Sequence, residues 1–227
     1  MAIFCQNPNR KISGRLGPIY ARIVKGPNIF PIMTIPTGQF YDAFTYKYPR
    51  FKVAVKFCSA LSLYPSLKAL NESLRGCFFS GYHALLSKNI NFVGLTAPTE
   101  YNSIAVSGFW FSVSNIKVTE TAVTATIPAL DTKTEVPTGA SQVRFICAVV
   151  YSDPVEAEKD PPFQVTGVEK VVASFNFAAS YSFSKNLSPY QLNLGTRYQR
   201  KTVYLLSVIE SETGLVLQNS QSASAVI

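Results

Sequence analysis

The side chains able to do chemistry in this chain are few, and their spacing narrows what that chemistry can be. A single histidine, His83, leaves one base for a Ser–His or Cys–His pair and excludes the multi-histidine zinc sites. It stands between Tyr82 and an Ala-Leu-Leu run, which predicts a place at a helix edge, and no G-x-S-x-G elbow accompanies it. The cysteines at 5, 58, 77 and 147 include no C-x-x-C pair, so neither a zinc site nor a compact disulfide framework follows. Cys58 and Cys147 sit in apolar patterns that predict buried thiols, and the expected compartment of synthesis is reducing. Asp153, Glu156, Glu158 and Asp160 crowd one proline-bounded turn, as calcium-binding carboxylates do. Their spacing is not that of an EF-hand and Lys159 lies among them, so a solvated loop is expected. No catalytic, metal or cofactor-binding residue is assigned, and the chain reads as a non-enzyme.

The stretch Ile12–Gly26, "ISGRLGPIYARIVKG", mixes three glycines with cationic side chains. It fits neither the P-loop nor the dinucleotide fingerprint. Pro18 and a strand-like run follow it, so no helix N-terminus stands ready to receive an anion, and the glycines are expected to make hairpin turns.

What remains is basic and aromatic. Residues 1–90 carry twelve Lys and Arg against two Asp and Glu, a net +10, while residues 91–227 carry nine against eleven, a net −2. Such asymmetry points to an acidic partner for the basic part. The candidate contact residues are Arg15, Arg22, Lys25, Tyr46, Tyr48, Arg50, Phe51, Lys52 and Lys56. Cations interleaved with aromatics suit a single-stranded nucleic acid, through backbone charge and base stacking. They suit a protein interface equally, because Arg and Tyr are enriched at binding hot spots.

The elements that must hold these residues change character near residue 91. Two short strands, about 17–25 and 29–35, flank the turn-forming Gly26-Pro27-Asn28. Over 50–64, Ala54, Phe57, Leu61 and Tyr64 recur on one helical face, with Lys52 and Lys56 on another. Pro65 opens a second helix carrying Leu67, Leu70 and Leu74, and "SGYHALLSKNI" gives a third piece. Beyond 91 the period falls to two: "SIAVSGFWFSV", "NIKVTETAVTATIP", "SQVRFICAVVYS", "FQVTGVEKVV", "ASFNFAASYSFS", "KTVYLLSVIES" and "GLVLQNSQSASAVI" are separated by turn clusters. The expected fold is α+β, mainly β: a basic docking region at 1–90, built of an N-terminal β-hairpin and two to three helices, then an immunoglobulin- or fibronectin-III-like antiparallel β-sandwich at 91–227. Trp110 is expected to fill the core of that sandwich. No charge-free run of about 18 apolar residues predicts a membrane span, and no apolar stretch of signal-peptide type follows the N-terminus.

The order of a "G-x-L-G…K-G" hairpin, an "R-F-x-x-A-x-x-F" helix formed by Arg50, Phe51, Ala54 and Phe57, and a sandwich ending in "TGLVLQNS" resembles an uncharacterised family of Bacteroidetes genomes and their phages. That resemblance carries no catalytic residues. What it implies is a virion-associated protein, assembled in the host cytoplasm, with other virion proteins and copies of itself as partners. A nucleic-acid-binding protein using the same basic and aromatic residues is the alternative, and an adhesion or carbohydrate-binding module using the sandwich loops is the second.

Overall fold

The structure is a computed structural model that describes residues 14–16, 19–23, 28–29 and 48–227. The chain divides into two compact units, Met1–Phe44 and Thr45–Ile227.

In the first unit, β1 (Gly14–Leu16), β2 (Ile19–Ile23) and β3 (Asn28–Ile29) form an antiparallel sheet in that order. Leu16 stands opposite Ile19, so only Gly17 and Pro18 separate β1 from β2. Pairing therefore starts ahead of the expected first strand at 17–25, because the glycine-rich stretch before it is already extended. The rest of the expected strand at 29–35 lies outside the described residues beyond Ile29.

The second unit is built in three layers. Helices α1 (Tyr48–Leu61), α2 (Pro65–Ser73) and α3 (Gly81–Asn89) form the first. A five-stranded antiparallel sheet forms the second, from β6 (Ala140–Pro154), β7 (Phe163–Val172), β9 (Tyr198–Ser211), β10 (Val216–Asn219) and β11 (Ala223–Val226). Its order is β10-β9-β6-β7, with β11 continuing along β9 beyond β10. The third layer is the sheet β4-β5-β8, made of β4 (Ser114–Val118), β5 (Ala122–Ile127) and β8 (Tyr181–Asn186).

The middle sheet explains the most apolar runs in the sequence. Along β6, Val143, Phe145, Cys147, Val149 and Tyr151 join β5, β8 and β9 residues in one core, and Ile146, Ala148 and Val150 join α1 and α2 in another. On β9, Val203 and Leu205 face the small sheet while Tyr204, Leu206 and Val208 face the helices. Strands covered on both faces have no use for alternation, hence "VRFICAVVY" and "TVYLLSVI".

The expected antiparallel architecture holds as two sheets, of three and five strands, around a shared core. It departs from a two-layer sandwich in that helices cover the second face of the larger sheet. "SIAVSGFWFSV" forms no strand beyond an isolated bridge from Phe109 to Ser220. At its first residues, backbone groups are satisfied by side chains instead. Asn71 donates to Ile104 O and accepts from Val106 N, both at 3.0 Å, and Asn89 donates to Ser103 O at 2.9 Å and accepts from Ser103 N at 2.7 Å. A buried backbone segment needs partners, not necessarily a ladder, and these two asparagines fasten it to α2 and α3.

Trp110 is not the core aromatic. It is 64% exposed, with Lys133 Nζ 5.4 Å from its ring centroid. The core between the sheets is filled by Phe145, which stacks on Tyr181 and meets Phe175 and Phe183 edge-on. "ASFNFAASYSFS" supplies only β8, because its first half is the loop that delivers Phe175 into that cluster. A fourth helix, α4 (Pro189–Arg197), stands where no helix was expected.

Candidate interaction surface on the helical layer

α1 buries Val53, Ala54, Phe57, Cys58 and Leu61 against the middle sheet, Phe57 meeting Tyr204 at a ring-centroid distance of 5.7 Å. These positions recur every three to four residues, so the opposite face is turned outward by the same geometry. It carries Lys52 and Lys56, both exposed, while Phe51 (44% exposed) lies at the margin of the buried stripe, seven residues before Cys58. Lys56 Nζ lies 4.8 Å from the centroid of the buried Phe163 ring at the start of β7, a cation–π contact that steadies the lysine stem while leaving the residue exposed.

The helices α2 and α3 pack closely enough that Gly81 admits no side chain: a Cβ there would lie 2.5 Å from the backbone of Asn71 and Glu72. Glu72 Oε2 accepts from Gly81 N at 2.7 Å, and its other oxygen pairs with Arg75 at 3.2 Å. At the end of the helix–sheet interface, Arg144 Nε donates to Glu210 Oε1 at 2.6 Å and approaches Glu169 at 3.6 Å, and Ser66 of α2 donates to Glu169 at 2.9 Å. The hydrogen bond to Glu210 foremost raises the Arg144 pKa above its ordinary value. This ionic joint locks α2 to the sheet that carries α1.

Of the sequence-predicted contact residues, Lys52 and Lys56 come together on the outer face of α1, with the exposed Phe51 at its margin. Arg50 is half-buried beside them, and Tyr48 opens the helix. Arg15 and Arg22 lie on β1 and β2 of the first unit, Arg15 opposite Tyr20 and Arg22 opposite Ile29. Lys25 and Tyr46 lie outside the described residues. Other cations of the basic region serve the fold. Lys88 donates to Val106 O at 2.8 Å, and burial lowers its pKa.

His83 is exposed near the start of α3, its Nδ1 2.7 Å from Ser80 Oγ, which also accepts from His83 N as the helix cap. Cys58 and Cys147 are buried and their thiols are pushed up to about 12 by desolvation, whereas Cys77 is exposed. The acidic turn is solvated at Glu156 and Glu158, but Asp160 is a correction: it is buried and pairs with Arg197 of α4. No group of three or more His, Cys, Asp or Glu stands ready to hold a metal among the described residues. No helix among them is long and apolar enough to cross a membrane.

No protein family, curated protein or solved structure matches the chain.

Proposed function

We propose that the chain is a non-enzymatic structural component of a phage-like particle, docking through the outer face of α1 on an acidic surface of another particle protein. The observation that carries this reading is the division of α1 into a buried face and an outward face bearing Lys52 and Lys56, with the exposed Phe51 at its margin. The net +10 of residues 1–90 supplies the complementary charge. The two lysines give this face its positive charge, which steers association with an acidic surface, and Phe51 adds an exposed aromatic contact. The layered β unit acts as an immunoglobulin-like body that faces outward or packs against copies of itself, and assembly takes place in the host cytoplasm. Buried thiols held near 12 are poor nucleophiles at neutral pH, in keeping with a non-catalytic role.

The test is charge reversal at Lys52→Glu and Lys56→Glu together. The doubly substituted protein is expected to stay folded, losing about 1 kcal/mol with the Lys56–Phe163 cation–π contact. It is also expected to be lost from purified particles. Incorporation at the parental level would refute the docking face. Tight binding to single-stranded DNA, with a log–log salt slope of about −0.7 per phosphate contacted, would instead assign the same cations to nucleic acid.

A further inference from the structure

The middle sheet ends in a long edge. β7 is its outermost strand, pairs only with β6 and keeps one register over ten residues, with no bulge and no proline. Its odd-numbered residues turn their backbone groups away from β6. The phase follows from the far side of the sheet. Lys201 and Ser207 of β9 bond outward to Ile227 and Ser220, so the even-numbered β9 residues bond β6, and the alternation passes through β6 to β7. Val165, Gly167, Glu169 and Val171 therefore present N–H and C=O groups to any further strand. Native sheets seldom leave so long an edge unprotected.

This edge is closed at its middle. Tyr64, between α1 and α2, reaches it from the helical layer, and a Cβ on Gly167 would lie 2.7 Å from the ring's Cε1 and 2.9 Å from its Cζ. Only glycine at 167 admits the ring. Burial raises the Tyr64 pKa, and a hydrogen bond from the Gly167 backbone to the hydroxyl offsets part of that rise. Gln191 of α4 arrives from the opposite face, its Nε2 donating to Thr166 Oγ1 at 3.1 Å and to Gly167 O at 3.4 Å. The two side chains thus hold both backbone groups of Gly167, at the floor of a groove of about 530 Å³ that runs along 165–168. The outward backbone groups of Val165, Glu169 and Val171 receive no such bond among the described residues.

We propose that Tyr64 and Gln191 form a guard over the β7 edge, and that the partner they hold off is the same edge of a second copy of this chain. Two β7 strands related by a two-fold axis at Gly167 complement each other, Phe163 of one meeting the exposed Val171 of the other and Val165 meeting Glu169. Charge agrees with this pairing. Glu169 shares Arg144 with Glu210, which leaves net negative charge, and Lys56, above Phe163, would stand diagonally across from it. Such a guard operates whether or not α1 docks on another protein.

Amide exchange on the whole chain reads the guard directly. Relative to intrinsic rates, Gly167 should exchange at least about tenfold more slowly than Val165 and Glu169, and Tyr64→Phe, which removes only the hydroxyl, should abolish most of that protection. Sedimentation reads the edge. Tyr64→Ala should dimerise at least about tenfold more tightly than the parent, and Tyr64→Phe should show the same change to a smaller extent. Adding Val165→Pro should reverse it, because proline there removes only an outward N–H and leaves the β6 ladder intact. Were Tyr64→Ala not to fold, Tyr64→Phe carries both readings. Equal exchange at the three amides of the parent, association unchanged by loss of the tyrosine, or a dimer that survives Val165→Pro would each overturn the guard.

Discussion

Cys58 and Cys147 link burial to a pH response. Each thiol is held near 12 in the folded chain, well above the ordinary value of 9.0. A raised folded pKa means that stability is fully present below the unfolded value and is lost as pH rises from there towards the folded one. Between pH 9 and 12 each thiol should therefore remove about 1.4 kcal/mol per pH unit. Chemical denaturation at pH 8 and pH 10 should show a drop that shrinks when both are replaced by alanine, whatever the variant's starting stability. An unchanged drop would mean the thiols ionise freely in the native state. Burial at these positions was legible in the sequence, since both stand within apolar runs. The places of Asn71 and Asn89 were not. A polar residue in a helical pattern gives no sign that its amide will be spent on a loop some 14 to 35 residues away.

At the level of elements, the helices of the front part were legible from their 3.6-residue period, and β6, β7 and β9 from their β-branched runs. α4 was hidden. Its nine residues include Pro, Asn, Gly and Thr, and its amphipathic stripe is short. The signal that was there is local: Ser188 and Gln191 form a reciprocal capping box, Gln191 N to Ser188 Oγ at 3.3 Å and Ser188 N to Gln191 Oε1 at 2.8 Å, with Pro189 at the first turn. A Ser-Pro-x-Gln string reads as a turn when neighbouring runs are strands, and only the packing of Leu194 into the core between the sheets decides for helix. Ser188→Ala should cost about 1 kcal/mol, measured by urea denaturation. Because Gln191 also bonds Thr166 and the Gly167 carbonyl, the loss should extend to faster amide exchange at the β7 edge. A neutral substitution with unchanged exchange would contradict the cap.

For the molecule as a whole, what the sequence conceals is layering. Alternating and continuous apolar runs both satisfy a strand, and the presence of two cores, one on each face of β6 and β9, emerges only from long-range pairing. The same pairing gives the proposed function its geometry. With one face of α1 committed to the sheet, Lys52, Lys56 and Ser59 are left outside, with Phe51 at the margin. The direct test is quantitative mass spectrometry of density-banded particles, washed at high salt, from cells that produce the chain. A fixed ratio to the most abundant coat protein that survives the wash is the predicted result. Absence of the chain from the particles would contradict the account.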